Sequence, residues 1–206
     1  MADPTVFVVD DDPSVRHSLS RLIRQAGLDV KTFASADEFL SMYRSDGPAC
    51  LVLDVRMPGM DGFELRTKML ESNTHIPTII ITGHADVPMA VRAMRSGVVD
   101  FVEKPFRGPQ LLERIHQAID LDRRQRKHAE DNSEQASRFA ALTPREREIL
   151  THVVAGQSNK MIAADLGISQ RTVEVHRARV MQKMGVDSLA ELVRFADRVS
   201  PEHRGN

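Results

Sequence analysis

Nowhere in the 206 residues does an apolar run approach the ~18 residues that a membrane span requires. Cysteine is nearly absent: a single Cys50 excludes any disulfide within one chain. Because it lies in an apolar stretch, Cys50 is expected in a core. Met1-Ala2-Asp3 opens no signal peptide, so a soluble, cytoplasmic protein with no membrane partner is expected. Charge of one sign is also missing overall, with 28 Lys+Arg against 29 Asp+Glu. That balance hides an asymmetry. Residues 1–120 carry 13 Lys/Arg against 17 Asp/Glu, and residues 121–206 carry 15 against 12. An acidic first part and a mildly basic second part suggest separate tasks, and the length suits one or two domains.

What is present is organised around Leu51-Val52-Leu53-Asp54-Val55-Arg56-Met57-Pro58-Gly59-Met60-Asp61-Gly62. Leu51 to Leu53 is a short apolar run, as in a strand buried on both faces. Pro58-Gly59 and Asp61-Gly62 force a turn after it. Asp54 is therefore placed at the carboxyl end of a buried strand, where open α/β sheets bind ligands. A second apolar run, Val6 to Val9, ends in Asp10-Asp11-Asp12. Side by side, the two strands bring several carboxylates to one rim. Such a cluster requires a cation or protonated acids. Hard oxygen donors favour Mg²⁺ (or Mn²⁺), held by one or two carboxylates with waters and a phosphate oxygen. Two further strand ends fit: Thr78 to Ile81 leads into Thr82, and Asp100 to Val102 is followed by Glu103-Lys104-Pro105. A hydroxyl and an ammonium beside acids are what an acceptor of a phosphoryl group needs.

The Asp10-Asp11 pair, Asp54 within DVRMPGMDG, Thr82-Gly83 and Lys104-Pro105 resemble, in order and spacing over about residues 4–121, the receiver domain of two-component response regulators. Predicted strands and helices alternate through this part: Thr5–Val9, a helix Pro13 to Ala26, Asp29–Phe33, a helix Ser35 to about Arg44. The Asp54 strand, a helix Phe63 to Glu71, the Thr82 strand, a helix near Val87–Arg95 and the Lys104 strand follow. Such alternation predicts a parallel sheet covered by helices on both faces. A flavodoxin-like, doubly wound, five-stranded α/β order is expected.

The last receiver helix begins near Pro109, with apolar residues at 111, 112, 115, 118 and 119. From Asp122 to Arg138 only Ala129 and Ala136 are apolar, yet neither Gly nor Pro occurs between residues 110 and 143. A helical linker is favoured over disorder, as a helix polar on all sides serves as a connector. Thr143-Pro144-Arg145-Glu146 then reads as a capping box. Gly156, Ser158, Gly167, Ser169, Gly185 and Ser188 delimit the helices that follow, and two of them joined by Gly167-Ile168-Ser169 form a helix-turn-helix. The third helix carries Arg171, Thr172, Glu174, His176, Arg177, Arg179 and Lys183 outward, the face of a recognition helix in a major groove. LTPREREIL…GQSNKMIAADLGISQRTVEVHRARVMQKMGV closely resembles the LuxR-type DNA-binding domain over about residues 139–200. Together the halves resemble FixJ-type response regulators. The expected division is a receiver at 1–121, a helical linker at 122–138 and an all-α DNA-binding domain at 139–206.

The resemblance implies a sensor histidine kinase that phosphorylates Asp54. It implies Mg²⁺ held by Asp11, Asp54 and the backbone carbonyl of Arg56, and by Asp10 through water. Lys104 would offset the phosphoryl charge, Thr82 would turn toward it, and Phe101 would follow inward; taken by itself, Phe101 reads as an ordinary core aromatic. The family often has Tyr at that place, so a hydroxyl signal is missing here. The Lys104–Pro105 bond is expected to be cis. His84, two residues beyond Thr82, either tunes phosphoryl lifetime or is a plain loop residue. Phosphorylation is expected to turn a mainly monomeric protein into a homodimer, through the face near residues 86–106, that binds promoter DNA and, in an activator, RNA polymerase. Base-reading positions correspond to Glu174, Val175 and Ala178, with Arg177 and Arg179 nearby. Lys160, Thr172, His176 and Lys183 are assigned to phosphates. The chain is thus read as no enzyme beyond self-catalysed phosphoryl acceptance and slow autodephosphorylation. An Asp-nucleophile, Mg-dependent phosphatase would need an acid two residues after Asp54, where Arg56 stands. A kinase-independent adaptor would lack Asp11, Asp54 or Lys104, and all three are present.

Overall fold

The structure, a computed structural model, describes residues 3–44, 46–83, 92 and 97–199. His84 and, Arg92 apart, the helix predicted near Val87–Arg95 lie outside the described residues, as does much of the face at 86–106. The chain divides into two compact units, Met1–Arg126 and Lys127–Asn206.

In the first unit five parallel strands, β1 (Thr5–Val9), β2 (Asp29–Phe33), β3 (Ala49–Asp54), β4 (Thr78–Thr82) and β5 (Asp100–Glu103), stand in the order β2-β1-β3-β4-β5. Helices α1 (Pro13–Gln25), α2 (Ala36–Met42) and α3 (Gly62–Glu71) connect them. All six residues of β3 are buried, because successive side chains enter different cores. Cys50 and Val52 join Val6, Val8, Ile79 and Ile81 under α1, while Leu51 and Leu53 join Phe7 and Val9 under α2 and α3. A strand with helices over both faces cannot alternate apolar and polar, which is why it reads as an unbroken apolar run. β2 and β5 are the edge strands, and β2 is the more polar on its surface. In β2, Asp29, Lys31 and Thr32 are exposed, and charge on an edge discourages pairing with another chain.

Helix α4 runs over Gly108–Ala140, 33 residues without a break. Leu111, Ile115, Ala118 and Ile119 face the sheet, and the segment beyond is the expected helical linker. Asp122 departs from its expected place among solvated linker residues: it is 2% exposed. Its Oδ2 accepts the Ala49 N–H at 2.8 Å and Arg126 Nε at 2.6 Å. The start of β3 thereby finds a partner for an otherwise unpaired backbone donor.

The second unit holds α5 (Pro144–Val154), α6 (Asn159–Leu166), α7 (Gln170–Met184) and α8 (Leu189–Val199). Thr143, Ser158 and Ser169 cap α5, α6 and α7, each accepting the N–H three residues on. Ile149, Leu150, Val153, Ile162, Val173, Val180, Met184, Leu192 and Phe195 make one core. Gly167, at φ 64°, ends α6 and lets Ser169 start α7 three residues after Leu166, the turn of a helix-turn-helix.

Candidate functional site

At the carboxyl ends of β1, β3 and β5 one ammonium serves two buried carboxylates. Lys104 Nζ donates to Asp10 Oδ2 at 2.8 Å and to Asp54 Oδ1 at 2.9 Å. Asp10 and Asp54 are only 1% and 6% exposed. Their other oxygens accept backbone N–H groups, Asp10 Oδ1 from Asp12 at 2.9 Å and Asp54 Oδ2 from Arg56 at 3.0 Å. The Lys104 N–H donates to the Thr82 carbonyl at 2.7 Å, and the Lys104–Pro105 peptide is cis. Thr82 is buried at the end of β4, and half-buried Phe101 packs on Val55, Phe63 and Ile80.

Burial pushes the Asp54 carboxyl above its ordinary range; the Lys104 contact opposes this and the Asp10 charge adds to it. Burial works against the Lys104 ammonium too, but its hydrogen bonds to Asp10 and Asp54 outweigh it and hold its pKa above the ordinary value.

Two supports of this site carry no signal in the spacing of residues. Arg16 Nη1 donates to the carbonyls of Asp10 and Asp11, at 2.7 and 2.9 Å, and holds the loop after β1. Gly62 is required by close approach, since a Cβ there would stand 2.4 Å from the Asp54 carbonyl oxygen. Next to it, Asp61 and Glu64 form a capping box that starts α3. A cavity of about 700 Å³ opens beside the site, lined among others by Asp11, Arg56, Met57, Asp61, Phe63 and Arg92.

The donors suit a hard divalent cation. They are carboxylates of Asp10 and Asp54 already in contact with a cation, exposed Asp11 on the cavity wall, and the Arg56 backbone next to it. Among the described residues no three His, Cys, Asp or Glu side chains stand together as a metal site.

In the second unit the outer face of α7 is partly as expected. Arg171, Glu174, Val175, Ala178 and Arg179 are exposed, as is Lys160 on α6. Thr172 and His176 are half-buried, and Arg177 donates from Nη1 to Asn159 Oδ1 at 2.6 Å, tying α7 to α6. Lys183 is engaged within the unit. Its Nζ lies 2.7 Å from Oε2 of buried Glu146 and 3.1 Å from the Ala141 carbonyl. The Lys183 and Thr143 contacts hold the Glu146 carboxyl down to about 2. The outward position of Lys183 on a helical wheel does not disclose this, because Glu146 arrives from another helix.

Comparison with known proteins gives a family for each part of the chain. Residues 6–116 match the response regulator receiver domain, and residues 140–196 match the bacterial regulatory proteins of the luxR family. The chain is 46% identical over 192 residues to nodulation protein W of Bradyrhizobium diazoefficiens, spanning 93% of this chain and 85% of that one. To the transcriptional regulatory protein FixJ of Rhizobium meliloti it is 46% identical over 196 residues, 95% and 96% of the two chains. Among solved structures, the response regulator StyR matches with a TM-score of 0.90 at 46% identity, covering 96% of this chain and all of that one. Receiver domains generally bind Mg²⁺ at the phosphorylation site, and they act with a sensor kinase. The chain therefore belongs to the two-component response regulators that join a receiver domain to a LuxR-type DNA-binding domain and regulate transcription.

Proposed function

We propose that Asp54 accepts a phosphoryl group from a sensor histidine kinase, and that this event governs promoter binding by α7. The observation that carries the reading is the Lys104 ammonium shared by Asp10 and Asp54. Asp54 is the acceptor in this reading, as the more exposed of the two carboxylates, at 6% against 1%, and the one followed by Val55 and Arg56 on the cavity wall. Lys104 is already aimed at the Asp54 carboxylate and would follow the charge onto a phosphoryl oxygen, stabilising what develops there. Thr82 would supply a hydroxyl from the next strand end, and Phe101 would move inward behind it. Asp10, Asp11, Asp54 and the Arg56 carbonyl would hold Mg²⁺ (or Mn²⁺). The ion supplies positive charge that offsets the phosphoryl oxygens.

In this reading the protein is no enzyme toward a separate substrate. It catalyses only its own phosphorylation and a slow autodephosphorylation. Receiver function belongs to residues 1–121, the linker to 122–138 and DNA binding to 139–206. Lys160, Thr172 and His176 contact phosphates; Glu174, Val175 and Ala178, flanked by Arg177 and Arg179, meet base edges. The protein is mainly monomeric until phosphorylated and then dimerises through the face near residues 86–106. It works in the cytoplasm, and as an activator it would meet RNA polymerase. The test is labelling with acetyl phosphate in the presence of Mg²⁺. Wild type should take up one phosphoryl group per chain and Asp54→Asn none; normal uptake by the variant would refute the acceptor.

A further inference from the structure

The C-terminal ends of α4 and α7 hold each other. Arg138, in the last turn of α4, donates from Nη1 to the carbonyl of Met184, the last residue of α7, at 2.9 Å. Lys183, in the last turn of α7, donates from Nζ to the carbonyl of Ala141, just beyond α4, at 3.1 Å. A helix leaves its last carbonyls without intrahelical partners and carries partial negative charge there. Here each end receives a cation from the other helix. Both cations are oriented by acids: Glu134 takes Arg138 Nη2 at 2.7 Å, and buried Glu146 takes Lys183 at 2.7 Å. Gly185, at φ 64°, leaves room for the guanidinium; a Cβ there would stand 2.6 Å from Arg138 Nη1.

We propose that this reciprocal pair of caps makes Arg138 and Lys183 positioning residues for DNA binding, the link through which the linker helix sets the recognition helix. The inference rests on the reading of α7 as that helix. The other end of α4 is anchored on the receiver sheet, where Leu111 and Ile115 are buried and Asp122 holds the start of β3. Lys183 then acts through α7 and touches no phosphate.

Salt dependence separates the two roles. A lost phosphate contact flattens the slope of log affinity against log salt by about 0.9, whereas a lost positioning contact leaves the slope alone. Full-length wild type, Arg138→Gln, Lys183→Gln and the double variant would be titrated by fluorescence anisotropy. The probe is DNA that the wild type retains from its own genome, across a salt series, with and without beryllofluoride. We expect unchanged slopes. The affinity gain on adding beryllofluoride should fall about 5-fold or more in each single variant, and little further in the double, since the caps act as one unit. Arg138→Lys keeps a cation and loses the planar fork; it should fold as wild type and lose about half the gain, which keeps the test decisive if Arg138→Gln does not fold. A role in stability alone would lower the melting temperature and leave the gain intact. An undiminished gain in the folded variants, or a slope flattened by about one contact in Lys183→Gln, overturns the inference while the regulatory reading stands. A wild type that gains nothing with beryllofluoride overturns that reading as well.

Discussion

Lys104 and Asp54 place opposite demands on the same few ångströms. Burial holds the Asp54 carboxyl above its ordinary value of 3.8. A carboxyl raised on folding binds its proton more tightly in the folded state, so stability falls as pH rises from that value through the folded one. At pH 7 the whole cost is present. Asp54→Asn removes it and leaves Lys104 paired with Asp10, so the melting temperature should hold or rise; a clear fall would contradict this. Lys104 runs the other way. Its pKa is raised above 10.5, so its contribution is fully present below that value and is lost as pH climbs past the folded one. Lys104→Met leaves two buried carboxylates together without a cation. Removing one partner of a buried pair costs about 3–5 kcal/mol, an upper bound here because Lys104 is about a quarter exposed. The deficit, read by urea unfolding, should shrink as pH falls from 7 and the raised Asp54 carboxyl takes up its proton.

Elements in both units begin and end on local chemistry that can be removed one atom at a time. Gly62 starts α3 against the Asp54 carbonyl. Gly62→Ala forces backbone apart, and overpacking of this kind costs about 1–3 kcal/mol; phosphorylation by acetyl phosphate should slow with it. A variant with unchanged stability and rate would show that the loop yields freely. At α5 the capping box of Thr143 and Glu146 is joined by Lys183. The Glu146 carboxyl, held at about 2 against an ordinary 4.5, contributes stability that is present above 4.5 and lost as pH falls through about 2. Glu146→Gln should therefore lower the melting temperature of the full chain near neutral pH. Its difference from wild type should close on acidification across that window. A difference that persists at the acid end would mean that packing, not charge, is what Glu146 supplies.

For the whole molecule, the proposed switch converts one weak DNA contact into a strong one when Asp54 is phosphorylated. A single helix-turn-helix makes a small, polar, salt-sensitive interface, whereas a dimer makes the second contact intramolecular and gains effective concentration. Sedimentation and anisotropy with beryllofluoride should therefore show dimerisation and tighter DNA binding together. If the mimic binds and both mass and affinity stay unchanged, the receiver does not switch this protein. Asp54→Asn should show neither response.

Much of this was determined by the sequence itself, because the informative features are local. Short apolar runs ending in Asp10, Asp54 and Thr82 mark strands buried on both faces, Lys104 follows a partly exposed edge strand, and all four residues stand at or next to strand ends. Thr143, Ser158, Ser169 and Gly167 mark helix ends because caps bind N–H and C=O groups within a few residues. The long linker helix was legible from the lack of any breaker. What only the tertiary structure decided is which charges meet. Lys104 reaches Asp10 across 94 positions, Arg16 ties the loop after β1, Asp122 leaves the polar linker pattern to bond Ala49, and Lys183 turns from the outer face of α7 to Glu146. Periodicity reports the face on which a side chain lies. A long charged side chain can reach beyond that face, and its partner is supplied by whichever element the fold brings within 3 Å or so of its tip.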